Sequence, residues 1–193
     1  MNKTKKLLCD SFKKLMRTVP FDKISISDIT NESNLKRQTF YYHFLDKYEL
    51  INYIYYYDIF LPMTDNLDNT VASLEVALTL MFIKLQSESY LYKNAFQMNA
   101  GYGFKEYLFS IMHSFMITIN EGKVSDIEAK IYTHGIVGII IDWVLGEIDA
   151  TPQLLASILV KEIKKPSWWV AFQKCISEPF LNFTNKLISF SCF

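Results

Sequence analysis

The chain has 193 residues, half of them hydrophobic, and its 20 Lys/Arg balance 20 Asp/Glu to a formal charge of zero. A substantial core is therefore available, while a generally cationic surface that would bind a polyanion anywhere is excluded. The charge is nevertheless uneven, because residues 1–50 carry 10 Lys/Arg against 6 Asp/Glu, so any nucleic-acid contact belongs to the first quarter.

Leu8, Phe12, Leu15, Met16 and Val19 recur at helical spacing with Lys13, Lys14 and Arg17 opposite, which predicts an amphipathic helix stopped by Pro20. Lys3, Lys5 and Lys6 are followed by Asp10, Lys13 and Lys14 rather than by an unbroken apolar run, so a secretory leader is not expected. Ser25-x-x-Asp28 has capping-box spacing and opens a short second helix that turns Ile26 and Ile29 inward. Asn34 falls where the chain must pass through a left-handed conformation, which Asn tolerates better than most residues. A third short helix is predicted from about Lys36 to Phe44. "LDKYEL" opens a fourth: Asp46 and Glu49 have capping spacing, and Leu45 and Leu50 are placed to form a hydrophobic staple. Pro62 is expected to end that helix at about Leu61.

Further on there is no strand alternation, and the periodic segments hold few Gly or Pro. Helices are predicted over about 70–87, 88–98, 103–119, 125–147 and 152–164, separated by Asp68-Asn69, Asn99-Ala100-Gly101, Asn120-Glu121-Gly122 and Asp149-Ala150-Thr151-Pro152. The run Ile136 to Leu145 is far shorter than the roughly 20 residues of a membrane span, and Asp142 interrupts it. Cys9, Cys175 and Cys192 are an odd, widely spaced set, which indicates neither a disulfide framework nor a cysteine zinc site. The expectation is a cytoplasmic protein without a membrane span. Gly-rich phosphate loops, nucleophile elbows and His-Glu-x-x-His patterns are missing, so no catalytic residue, cofactor or metal is expected.

The run "SNLKRQTFYYHF", Ser33 to Phe44, mixes cationic, amide and hydroxyl side chains with four aromatics. At about 100° per residue, Phe40 and Phe44 mark the buried face of its helix, while Gln38 and Tyr42 point most directly away, flanked by Thr39 and Tyr41. Lys36 and Arg37 at the helix start oppose the dipole, but there a phosphate would meet amides and cations together. Gln can read adenine and Arg guanine, whereas Thr and Tyr mostly meet phosphates or the thymine methyl. Two short helices joined by a turn, set between an amphipathic helix and a well-capped long one, are the layout of a helix-turn-helix unit. Ser25, at the start of the second helix, joins the candidate DNA contacts.

"ISISDITNESNLKRQTFYYHFLDKYEL" resembles the DNA-binding domain of the TetR family of transcriptional regulators, through Thr39, Phe40, Tyr41, His43, Phe44 and Lys47. The resemblance covers about residues 5–55. Asn34-Leu35 stand where that family usually has Gly-Val; Asn also accepts a left-handed turn and Leu fills an apolar slot. Within the family, "RQTFYYHFLDKYELINYIYY" looks most like a subgroup that includes activators of dihydroxyacetone kinase operons, whose signal comes from a separate protein. The resemblance implies an all-α chain with an N-terminal three-helix helix-turn-helix domain over 1–45 and a connecting helix over 46–61. It implies a helical ligand-binding and dimerisation domain over 62–165, leaving 166–193 as a C-terminal extension of unassigned structure. It gives phosphate contacts to Tyr41, His43 and Lys47, base reading to Lys36, Arg37, Gln38 and Tyr42, and either role to Thr39. The partners it implies are a double-stranded DNA operator, a second copy of the chain, and a small-molecule or protein effector, with activation or repression left open.

"HGIVGIIIDWVLGE" is greasy nearly all round and thinned by Gly135 and Gly138. It is similar to the penultimate helix of such a domain, and Gly135, Gly138, Ile139, Asp142 and Trp143 are the candidate dimer contacts; a purely intramolecular core helix is the plainer alternative. The tyrosines Tyr53, Tyr55, Tyr56 and Tyr57 suit packing between domains better than a platform for single-stranded nucleic acid. His113 and His134, with Cys175, Asp142 or Glu147, are a sensor metal site only if the fold brings them together. Met81, Phe82, Phe96, Met98, Tyr102, Phe104, Tyr107, Phe109, Met112, Phe115 and Met116 could line an apolar ligand pocket, with ordinary core packing as the default. A pure protein-interaction module would explain the greasy helices without DNA, and an enzyme would need convergent titratable groups that the chain does not offer.

Overall fold

The computed structural model describes residues 2–65, 71–97, 103–119 and 124–164, and every element among them is helical. Residues 1–160 form one compact unit; a second comprises residues 161–193, of which the described part is Lys161–Lys164.

Helix α1, Lys3–Met16, is capped by the Asn2 side chain, which accepts from the Thr4 amide at 2.8 Å, and it buries Leu8, Phe12 and Met16. It ends earlier than Pro20, and a 3-10 turn at Phe21–Lys23 follows. The Ser25/Asp28 capping box forms as read and opens α2, Ile26–Glu32, where Ile29 is fully buried. Asn34 adopts φ +54° and carries the chain into α3, Arg37–His43. Asn34→Gly is therefore expected to leave stability almost unchanged, whereas Asn34→Val, whose branched Cβ meets the following carbonyl, loses upwards of about 1–2 kcal/mol. Paired thermal melts check both.

Helix α4, Lys47–Tyr55, is capped by Asp46, whose carboxylate accepts from the Tyr48 and Glu49 amides, both at 2.8 Å. Two details differ from expectation. Leu45 is 79% exposed while Leu50 is fully buried, so the staple is not made; the Glu49 carboxylate instead binds the Leu45 amide at 2.6 Å and holds that residue outward. Nor does Pro62 end the helix. A π turn at Tyr56–Phe60 leads into α5, Leu61–Thr64, where Pro62 lies in the first turn and its missing N–H is least costly.

The body continues as α6 (Val71–Ser87), α7 (Ser89–Phe96), α8 (Phe104–Ile119), α9 (Asp126–Leu145) and α10 (Pro152–Lys164), each within two residues of its predicted ends. Gly146 ends α9 at φ +92°. The turn 149–152 is described, whereas the other three predicted turn segments and the extension 166–193 lie outside the described residues. Met81, Phe82, Phe96, Phe104, Met112, Phe115 and Met116 are core, with Phe104 meeting Tyr55, Tyr92 and Phe96 at 5.1–5.8 Å between ring centroids. Met98 and Tyr102 fall outside the described residues.

Candidate nucleic-acid interface

Helix α3 is anchored on one side and bare on the other. Phe40 and Phe44 are buried, with ring centroids 5.9 Å apart, while Lys36, Arg37, Gln38, Tyr41 and Tyr42 are exposed, Tyr42 to 84%. The face was fixed by sequence spacing: apolar residues four apart must bury together, which leaves positions 38 and 42 opposite. Arg37 Nη2 donates to the Tyr41 hydroxyl at 3.1 Å and its guanidinium carbon lies 5.6 Å from that ring, so the cation is held against the exposed face in a defined pose. The Tyr42 ring meets His43 edge-on at 4.9 Å, and Thr39 and His43 are half-buried at the margin. Lys36 is the N-cap of α3 and makes no side-chain capping bond, so the first amides of the helix are unanswered by a cap there.

Two other candidates are engaged elsewhere. Ser25 is exposed, but its hydroxyl accepts from the Asp28 amide at 3.1 Å, and its hydroxyl and its backbone N–H donate to the Asp28 carboxylate at 2.7 Å and 2.8 Å, which holds that carboxyl below its ordinary range. Lys47 turns inward. Its ammonium donates to the carbonyls of Phe21 at 2.8 Å, Ile24 at 2.9 Å and Asp22 at 3.4 Å, and lies 4.5 Å from the Phe21 ring centroid. Burial lowers its pKa, against the field of Asp22. The 3-10 turn presents its carbonyls to one point, a geometry invisible in the sequence, and Lys47 ties α4 to it. Lys47→Met is expected to lower the stability of the chain by roughly 1–3 kcal/mol, the usual cost of leaving such acceptors unpaired, read as an earlier urea midpoint.

On α9, Ile127, Ile131 and Ile139 are exposed to 71%, 57% and 37%, and on α10 Leu154 and Ile158 to 50% and 44%. A Cβ added at Gly135 or Gly138 would meet nothing within 4 Å. Ile131, Gly135, Gly138 and Ile139 thus form an open apolar stripe at helical spacing, with half-buried Asp142 continuing it. Trp143 does not belong to it. It is buried, its indole N–H donates to the Ala150 carbonyl at 2.8 Å, and its ring lies 5.2 Å from Phe82. An indole needs both apolar cover and an acceptor, and the turn after α9 supplies both within the chain. Ile131 was missed because α9 is apolar around most of its circumference, so its pattern has no directional peak; Leu154 and Ile158 lie on α10, outside the stretch singled out as the dimer helix.

His113 Nε2 lies 3.0 Å from Asp126 Oδ1, within ion-pair reach though off hydrogen-bond angle, and His134 Nδ1 is 2.7 Å from the Lys130 carbonyl. No group of three or more His, Cys, Asp or Glu among the described residues is placed to hold a metal ion, and Cys175 lies outside them. A cleft of about 250 Å³ opens between α6, α7 and the end of α9, lined by Gln86, Ser89, Lys93, Trp143 and Asp149. No helix among the described residues is long and apolar enough to cross a membrane.

Comparison with known proteins places these features in context. Residues 10–54 match the model described as bacterial regulatory proteins, tetR family, and residues 73–165 match a transcriptional regulator C-terminal region of the same family. A 65-residue stretch is 37% identical to the HTH-type dhaKLM operon transcriptional activator DhaS of Lactococcus lactis subsp. lactis (strain IL1403), spanning 34% of this chain and 35% of that protein's length. Among solved structures, the dihydroxyacetone kinase operon activator DhaS shares the fold with a TM-score of 0.63 at 22% identity, over 83% of this chain and 94% of that one. RolR without ligand aligns at 0.54 and 17% identity, over 82% and 89%.

Proposed function

Because the chain belongs to the TetR family of transcriptional regulators, we propose that it binds double-stranded operator DNA as a homodimer, inserting α3 into the major groove. The observation that carries this is the division of α3 into a buried Phe40/Phe44 side and an exposed side of Lys36, Arg37, Gln38, Tyr41 and Tyr42. On this seven-residue helix the Tyr42 ring, 84% exposed, is apolar surface that a partner would cover. Gln38 and Arg37 have the chemistry to read base edges, Tyr41 and Thr39 to meet the backbone, and Lys36 to neutralise phosphate. Ser25 and Lys47 act by holding α2 and α4 in place.

The open stripe on α9, with Leu154 and Ile158 on α10, supplies a self-complementary apolar surface for closed two-fold pairing. Two copies joined there present two α3 helices, so the operator is a pseudo-palindrome with half-sites about one helical turn apart or slightly more. An effector bound to the body controls the spacing of those helices through α4, and ligand and DNA are then linked by one coupling free energy. That effector is a small molecule or a partner protein. The setting is the cytoplasm.

Selection from a random duplex library by the full-length protein tests the proposal. The expected product is a pseudo-palindromic site that the protein protects from nuclease; recovery of no preferred sequence would leave the greasy helices to a protein-interaction module instead.

A further inference from the structure

Lys13 joins three elements that are distant in sequence. From α1 its ammonium donates to the Asp58 carboxylate, in the π turn, and to Glu88 Oε1 at 3.0 Å and Oε2 at 3.3 Å, just before α7. Lys84 of α6 reaches the same Glu88 oxygen at 2.9 Å, so two cations face two carboxylates. The Lys13 and Glu88 side chains are only 16% and 14% exposed. Burial works against the Lys13 charge, yet Asp58 and Glu88 outweigh it and raise its pKa; burial likewise opposes the Glu88 charge, and Lys84 and Lys13 overcome it.

Further polar contacts join this end of the N-terminal helices to α7. Arg17 lies over the Tyr90 ring at 4.6 Å, and the Asn94 amide spans the Phe21 N–H at 3.4 Å and the Met16 carbonyl at 3.5 Å. Such contacts exchange readily with water, whereas the apolar packing of α1 on α2 does not. The cluster at Lys13 therefore ties α1 to the π turn and to the start of α7. Asp58 sits in the π turn, the place in the long helix where hydrogen-bond register is already displaced.

We propose that Lys13, Asp58 and Glu88 are positioning residues that set the angle of the DNA-binding helices on the body, and through it the half-site spacing the dimer accepts. This rests on the reading of the chain as a DNA-binding homodimer. None of the three touches DNA; they act through the placement of α3.

The test uses the full-length protein and duplexes in which the selected half-sites are separated by spacers varied one base pair at a time. The wild type is expected to favour one spacing. In Lys13→Met the preference for that spacing over one two base pairs longer falls by roughly tenfold, within the range of coupling between distant sites, while base preference inside each half-site is retained. Glu88→Gln shifts the profile in the same direction by less, and Lys13→Arg, which keeps the cation, preserves it. Circular dichroism confirms folding, and Glu88→Gln decides the matter if Lys13→Met does not fold. An unchanged spacing profile in the folded variants overturns the positioning role, as does a uniform weakening across all spacings. A wild type that selects no duplex at all overturns instead the DNA-binding reading beneath it.

Discussion

Tyr42→Ala lowers operator affinity roughly 10- to 100-fold and leaves the melting temperature where it was. The two halves of this expectation have separate causes. At 84% exposure the Tyr42 side chain contributes little to the folded chain beyond an edge-on contact with His43, so its truncation removes almost nothing from the core. In the proposed complex the same ring is buried on DNA, and a base-edge or backbone contact of this kind is worth about 1–3 kcal/mol, which is one to two decades in affinity. Arg37→Ala produces a loss of similar size with an added signature: one phosphate or base contact fewer reduces the slope of log affinity on log salt by about one. Titration of labelled operator at several salt concentrations, with a melt of each variant, reads both.

Gly138→Leu is expected to convert the proposed dimer to a monomer and to weaken operator binding by a further large factor. Nothing in the same chain lies within 4 Å of a Cβ at this position, so the leucine creates no clash inside one copy. Exchanging a helix-interior glycine for leucine favours the helix itself by up to about 1 kcal/mol. The isolated subunit should therefore melt at an equal or higher temperature, while two α9 helices that pack through Gly135 and Gly138 can no longer approach. Sedimentation velocity and the concentration dependence of the melt distinguish the outcomes. An intact Gly138→Leu dimer would move the pairing surface away from this stripe.

Local signals with a strict geometric requirement were legible in the sequence. Ser25 and Asp28 announce a capping box, Asn34 a left-handed residue, and Phe40 with Phe44 the buried side of α3, because each depends on neighbours three or four positions away. The ends of α6 to α10 were readable for the same reason. Where the sequence misled, a long-range contact or a backbone alternative had the last word. Pro62 was read as a stop because an α-helix cannot supply its geometry, but a π turn removes the conflict. Lys47 was read as a surface cation, yet the carbonyls of a turn more than 20 residues earlier claim its ammonium. Trp143 was read outward on a helix apolar all round, where periodicity carries no direction and only the position of Ala150 and Phe82 settles the matter. The Lys13 cluster, assembled across separations of 45 and 75 residues, left no trace in the pattern at all.

The Gln38–Tyr42 side of α3 is proposed to enter a groove of duplex DNA. A photoreactive benzoylphenylalanine placed at position 42 of the full-length protein, in place of a tyrosine of similar shape, tests it most directly when irradiated with the selected operator. The expected result is a covalent adduct to a base within each half-site, with none when the same group replaces Tyr57 beyond the N-terminal helices. Crosslinking from position 57 but not from 42, or adducts from 42 only to protein, would contradict it.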